Sequence, residues 1–305
     1  MKKLFRNPSQ WVPTLYFAMG LPFWAVNTTS GLMYKNLGIS DTDIAFWTTI
    51  IILPWTLKPL WSPFLEIYKT KKFFVLATQL ISGICFTFIA LSLPLSNFFT
   101  YTIALLGLIA ISGATHDIAA DGVYINVLSP KLQSKWIGWQ GAFYNVAKVV
   151  SLSLFVYLAG VLEERIGIVN AWTAVMGAYA FVMIALAVYH MRFLPSDTKT
   201  KKATTVKEAI NETIEVIVSF FGKKNIIWSI AFIILYRFAE GFAMKISPLF
   251  LVAERFDGGL GLSNKEVSLV MAFGAGAFIL GSILGGNFIA KKGLKKVLLS
   301  LALIF

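Results

Sequence analysis

The segment Gly113-Ala-Thr-His-Asp117-Ile-Ala-Ala-Asp121-Gly122 places two carboxylates four residues apart inside an otherwise apolar run. Residues at that spacing share one helix face. Such a pair has several uses: to share a proton, to hold a cation, to touch a polar solute, or to be tied into a structural network with basic residues and helix termini. Charge is expensive in hydrocarbon, so intramembrane carboxylates face the bundle interior, a partner or an aqueous cavity. His116 points about 100° away from Asp117 on a helix. A metal site joining it to the two aspartates is therefore not expected, and packing suffices to explain it.

Four further clusters of charge or polarity interrupt apolar runs. Lys58, in Leu53-Pro-Trp-Thr-Leu-Lys58-Pro-Leu-Trp61-Ser-Pro63, reads most simply as the counter-ion of an acidic residue, although its long stem could also snorkel to the interface. Lys148 lies deeper, with Asn145 one turn earlier on roughly the same face, which suits a solute cavity or an internal salt link. Arg237 and Glu240 can pair along their own helix or recognise an anionic or sugar-like ligand. Asn27, Thr28, Thr29 and Ser30 form a polar stripe that could line the same passage or mediate helix packing. Trp139, with Trp55 and Trp61, could stack on a sugar ring or fill the core. Trp11, Trp47, Trp136 and Trp172, near predicted helix ends, fit interfacial belts. There is no Walker loop, dinucleotide fingerprint, zinc-binding histidine pair or serine-nucleophile elbow in the sequence. No cofactor and no metal are expected, and neither is an enzyme.

The elements that must position these residues are membrane spans. Of the 305 residues 57% are hydrophobic and only 14% charged, and the apolar residues fall into blocks near the ~20 residues that cross a bilayer as a helix. A water-soluble domain is excluded. The expected spans are 11–34, 44–64, 73–94, 98–120, 137–160, 168–191, 226–250 and 267–289, with another starting near Val297. Pro54, Pro59 and Pro63 predict a bent or broken second helix. The block after Met1-Lys2-Lys3 is too long for a signal-peptide core and reads as a retained first span. The formal charge of +12 points neither to nucleic acid nor to a basic tail, because the basic residues sit between spans. On alternate connections one side carries 19 Lys and Arg and the other four, so the N-terminus is expected in the cytoplasm. The single cysteine, Cys85, rules out an intrachain disulfide.

The one long connection, 194–225, divides residues 1–193, read as a six-helix bundle, from 226–305, read as the start of a second. Within it 204–222 carries apolar residues at helical spacing, which suits a cytoplasmic helix on the membrane surface, a solvated extension of the seventh span, or a regulatory partner site. Two lysine-rich joints, one around Glu66 and the other around Lys291 and Gly293, each follow the second span of a six-span unit and hint at a repeat. On this plan the sequence stops inside the second half, after about eight and a half spans, and is expected to be truncated.

The six-plus-six layout resembles the major facilitator superfamily. Three segments are similar to its muropeptide permease and acetyl-coenzyme-A transporter branch: Leu15-Tyr-Phe-Ala-Met-Gly-Leu-Pro22, Leu53 to Pro63, and Ala114 to Gly122. The resemblance implies an all-α polytopic protein of the bacterial inner membrane that imports anhydro-muropeptides with protons by alternating access. It gives Asp117, Asp121 and Lys58 the proton-coupling and gating role, with protonation of the aspartates weakening their bond to Lys58 or Lys148. From the reading of the residues themselves, Asn27, Trp139, Asn145, Lys148, Arg237 and Glu240 are the expected solute cavity. The joint residues Glu66, Lys291 and Gly293 become a cytoplasmic gate, in place of the family's Asp-Arg-x-Gly-Arg-Arg pattern. Tyr124-Ile-Asn126 departs from the commoner acidic ending of the third segment. The implied partners are a small solute, protons and the lipid bilayer, with no nucleic acid; the oligomeric state is not readable. The alternatives are a facilitator or exchanger of another anionic metabolite such as an acyl-coenzyme A, a nontransporting receptor or assembly protein, and a polytopic acyltransferase.

Overall fold

The computed structural model describes residues 7–67, 69–196, 206–236, 238, 251, 255–261 and 264–304. Every element among them is helical. Helix α1 runs through Val12–Trp24, a π-helical turn at Ala25–Thr29, and Ser30–Asn36. The second, α2, comprises Asp41–Ile51, Leu53–Leu57, a 3₁₀ turn at Lys58–Leu60, and Phe64–Ile67. Three long helices follow: α3 (Lys71–Ser92), α4 (Phe98–Val127), and α5, built from Pro130–Val149, a second π-helical turn at Val150–Phe155, and Val156–Ile166. Then come α6 (Ile168–Phe193), α7 (Val206–Phe221), α8 (Ile226–Tyr236), α9 (Asn264–Lys292) and α10 (Leu294–Ile304).

Local sequence explains the boundaries. Ser40 caps α2, accepting from the Asp43 N–H at 3.1 Å, and Thr70 caps α3 through the Phe73 N–H at 3.2 Å. Pro130 opens α5 where its missing N–H costs nothing. Gly167, at φ +82°, turns α5 into α6 with a backbone that other residues rarely adopt. Helix α2 is broken after Ile51, where Pro54 and Pro59 remove donors from the ladder. Two spans are longer than the hydropathy blocks suggest. α4 continues to Val127 rather than 120, and α5 starts at Pro130 rather than 137, because polar residues extend each helix beyond the hydrocarbon. At 1.5 Å per residue, α4 is about 45 Å long against a core of about 30 Å.

The chain forms two compact units: residues 1–202 with 279–305, and residues 203–278. In the first, α3 lies between α4 and α6, while α1 packs on α5, α4 and α6. One core cluster gathers Leu21, Tyr34, Phe86, Ile89, Leu106 and Trp172; another gathers Trp11, Leu15, Tyr16, Val123 and Trp136. The outward faces of α3, α4 and α6 expose Phe88, Leu108 and Phe181, an apolar exterior suited to lipid. In the second unit α7 has Ile210, Ile214, Ile217, Val218 and Phe221 exposed along it.

Two close approaches depend on glycine. A Cβ on Gly20 would lie 2.8 Å from that of Ala147 and 2.9 Å from the Tyr144 carbonyl, so α1 and α5 touch nearly backbone to backbone. At Gly138 of α5 a methyl would overlap the carbonyl of Ser282 in α9. Gly286, one turn further along α9, faces the Gly138 backbone reciprocally.

Candidate functional site

The break in α2 brings Lys58 onto α4. Its ammonium donates to Oδ2 of Asp117 at 2.7 Å, with 29% of the lysine side chain and 12% of the aspartate exposed. Asp117 comes from a continuous helix and Lys58 from a 3₁₀ turn, so the pair joins a rigid element to a more easily repacked one. Above it, Trp61 donates from its indole to Thr115 at 3.2 Å. Gly113, one turn before Asp117, leaves room for the Trp55 ring, which a Cβ there would meet at 2.7 Å. The second oxygen of Asp117, Oδ1, is buried without a hydrogen-bond partner among the described residues. The Trp55 indole N–H is likewise buried without a hydrogen-bond partner among the described residues.

The two aspartates have different partners in this arrangement. Asp121 is exposed and accepts from the Tyr16 hydroxyl of α1 at 2.8 Å; Gln140 of α5 donates to the same hydroxyl at 2.7 Å. Asp117 thus ties α4 to α2, and Asp121 ties α4 to α1 and through it to α5. Sequence reasoning missed Tyr16 and Gln140. The available signal was a phenol at the helix depth of Asp121 in the Leu15-Tyr-Phe segment. Tyr16→Phe is expected to leave folding intact within about 1 kcal/mol, because it removes one hydrogen bond to a carboxylate that is not buried, yet to cut transport several-fold. Melting in detergent beside initial uptake rates checks this; equal losses in both would mark the bond as merely structural.

Lys148 is half-buried on α5, its ammonium 4.8 Å from the centroid of Trp24, where cation–π attraction operates. Among the described residues no carboxylate lies within ion-pair distance of it. Asn145 spends its amide on the Gly141 carbonyl at 2.8 Å. Asn27 is exposed on the π-helical turn of α1. Two of its neighbours serve helix packing. Thr29 is buried against Tyr179 at 3.2 Å, and Ser30 bonds back to Val26 at 2.8 Å. Trp139 stacks on Phe143 at 5.8 Å.

His116 is more than a packed side chain. It is buried on α4 and joined through Gln79 of α3 to His190 of α6 and then to Thr14 of α1, at 3.0, 3.1 and 2.9 Å. One directed chain satisfies each link with neutral rings: Thr14 O–H to His190 Nε2, His190 Nδ1–H to Gln79 Oε1, Gln79 Nε2–H to His116 Nε2. Four helices are fixed by one amide. Gln79→Leu should lower stability by about 2 kcal/mol, as two buried imidazoles lose partners, with the melting temperature in detergent as the measurement. A melting point unchanged from wild type would mean the chain of bonds holds nothing together.

The first lysine-rich joint serves as a buried splice. Lys71 is 2% exposed, its stem against Gly122 and its ammonium donating to the Leu65 carbonyl at 3.3 Å. Lys72 caps the C-terminus of α6 through the carbonyls of Met191 and Leu194 at 2.9 and 2.7 Å. The backbone of Glu66 lies in the short helix ending α2; its side chain lies outside the described residues. In the second joint Lys291 is exposed and Gly293, at φ +82°, separates α9 from α10, its N–H closing on Ile289. Arg237 and Glu240 lie outside the described residues. Three of the four expected interfacial tryptophans are core residues instead. Trp11 and Trp172 are 0% and 1% exposed and Trp136 is 9%, because the helix ends remain packed in the bundle; only Trp47 is exposed.

Helical throughout its described residues, with apolar outer faces and helices long enough to cross a bilayer, the chain is built as a multi-pass membrane protein. The model of the Major Facilitator Superfamily matches residues 14–305, and the chain is a member of that family. It is 26% identical over 97% of its length to an anhydromuropeptide permease of Escherichia coli K12, of which the match covers 58%. It is 26% identical over 94% of its length to an uncharacterised protein of Haemophilus influenzae, covering 64% of that protein, and 24% identical over 83% to a Rickettsia typhi protein called "Putative transporter AmpG 3", covering 61%. The chain thus spans about three-fifths of the relatives it matches. Its family is one of transporters, not enzymes.

Proposed function

We propose that the protein imports anhydro-muropeptides together with protons across the bacterial inner membrane, by alternating access. The observation that carries the reading is the Lys58–Asp117 pair, a 2.7 Å contact between a broken helix and a continuous one, inside the span region. With Asp117 ionised, the pair holds α2 to α4. A proton arriving from outside removes the carboxylate charge, the attraction to Lys58 falls, and α2 is free to change its packing as the solute binds. Deprotonation toward the cytoplasm remakes the pair. Asp121, held by Tyr16, couples the same helix to α1. No covalent bond is made or broken.

The substrate rests on the named E. coli relative and on the membrane-embedded cation Lys148. In this reading residues 1–193 are the first bundle and 226–305 the beginning of the second, with the N-terminus cytoplasmic and 194–225 a cytoplasmic connection. Asn27, Trp139, Asn145, Lys148, Arg237 and Glu240 serve the solute, while Glu66, Lys291 and Gly293 serve the cytoplasmic gate. Packing of Gly138 on Ser282 and Gly286 lies near the expected cytoplasmic ends of α5 and α9 and supports a closed cytoplasmic side. The test is accumulation of labelled anhydro-muropeptide in proteoliposomes. Accumulation above the external concentration is expected only with an inward proton gradient. Equilibration that ignores the gradient would instead favour the facilitator or exchanger, and no movement by folded protein would discard the substrate.

A further inference from the structure

We propose that α7 lies along an anionic membrane surface, its apolar strip sunk into the acyl boundary and Lys207, Lys223 and Lys224 set on lipid phosphates. This adds a lipid partner to the transport reading and holds whatever solute the protein carries.

The sequence of α7, Val206–Phe221, sorts its residues by face. At about 100° per residue, Ile210, Ile214, Ile217, Val218 and Phe221 fall within an arc of about 100°, and every one of them is exposed. Glu208, Glu215 and Ser219 are exposed on the opposite side. A helix with a continuous apolar strip on one side and acidic residues on the other is built to lie in a membrane interface rather than to stand in water.

The chain that follows indicates what covers the strip. α7 is not an extension of the next span: the Gly222 N–H closes on the Val218 carbonyl, and Asn225, at φ +63°, interrupts the helical path before α8 begins at Ile226. α8 exposes Ile227, Trp228, Ile233 and Leu235, as a span bordered by lipid does. Trp228 and the lysine pair before it mark the headgroup level, since tryptophan and lysine concentrate there. The C-terminal end of α7 therefore meets the bilayer surface. Its strip, on a helix about 24 Å long, continues the lipid-facing surface of α8.

Charge matches that surface as well. Lys207 lies one turn before Ile210 on nearly the same face, and Lys223 and Lys224 follow Phe221, so the strip has lysine at both ends. The ammonium of Lys223 stands 5.6 Å from the centroid of the Phe220 ring, joining the apolar and cationic parts at the boundary. Lysine stems extend an apolar strip while their ammoniums reach phosphate. Glu208 and Glu215 are turned away from the phosphates by the same geometry. A protein groove would cover the strip without calling for lysine at both of its ends.

The test uses the full chain in proteoliposomes, with an environment-sensitive fluorophore on Ile214→Cys or on Ser219→Cys; the one native thiol, Cys85, is buried. In vesicles containing phosphatidylglycerol, the dye at 214 should be quenched by brominated lipid and shielded from aqueous acrylamide, and the dye at 219 should show the reverse. Pure phosphatidylcholine should weaken that contrast several-fold. Lys223→Gln combined with Lys224→Gln should lower the ratio of docked to undocked helix in the anionic vesicles by at least about tenfold. If this variant does not insert, half-molar salt acting on wild type carries the same test, because it screens the phosphates. Both dyes open to acrylamide would show a helix free in water, and a dye at 214 shielded from both quenchers would show a strip covered by protein; either overturns the proposal. A contrast equal in the two lipids, or untouched by both the lysine replacements and salt, overturns the anionic surface as the partner.

Discussion

Asp117→Asn should abolish proton-driven accumulation, lowering it by about a hundredfold, while the folded protein still exchanges labelled for unlabelled solute. Asparagine matches the shape of the carboxylate but carries no ionisable proton, so the switch between held and released α2 is lost. The magnitude follows from the ~3 kcal/mol or more that breaking a buried ion pair costs, which is about two decades in an equilibrium. Lys58 retains 29% exposure and can recover water, so the fold survives. Lys58→Met is expected to be the harsher change for stability, because it leaves Asp117 buried with neither oxygen paired. Adding Asp117→Leu to Lys58→Met should return most of the lost melting temperature without returning transport. A double-mutant cycle on both readouts separates the pair's part in stability from its part in coupling. Undiminished accumulation by Asp117→Asn would show that the proton is carried elsewhere.

Gly138→Leu is expected to produce the second-largest effect, a loss of transport with little loss of stability. The backbone of Gly138 lies against Ser282 and Gly286, where even a methyl overlaps main-chain atoms and has no flexible side chain to displace. A leucine there must separate α5 from α9. Under the alternating-access reading this arrests the protein with its cytoplasmic side open. Cysteines introduced beside the contact should then label from the cytoplasmic side far faster than in wild type, and uptake should fall at least about tenfold, as a clash of ~1.4 kcal/mol or more biases the two states. Normal uptake by Gly138→Leu would show that this approach of helices is not part of the cycle.

How much of this arrangement is legible in the sequence depends on how costly each residue is to place. Asp117, Asp121, Lys58 and Lys148 stood out because a charge in an apolar run demands a reason. That Lys58 would meet a carboxylate was also readable, since a lysine in a span needs a counter-charge or the interface. Which carboxylate was not, because 59 residues separate Lys58 from Asp117. Tyr16, Gln140, Gln79 and His190 escaped notice for a different reason. Tyrosine, glutamine and neutral histidine are inexpensive to bury once bonded, and their partners lie up to 176 residues away in sequence. The π-helical turns at Ala25–Thr29 and Val150–Phe155 leave no periodic trace, as they change the backbone ladder without changing composition. Tryptophans at helix ends were misassigned to an interface because position along a helix does not say whether its flank is covered. The prolines of α2, by contrast, remove specific N–H groups, and the break appeared where they stand.

Under the proposed cycle a proton moves with the solute through the Asp117–Lys58 switch. Its most direct test is to enclose a pH-sensitive dye in proteoliposomes at equal internal and external pH and add anhydro-muropeptide outside. Solute entering down its own gradient should acidify the lumen with wild type, and should enter without acidification with Asp117→Asn. Solute entry by wild type at constant internal pH would contradict the account.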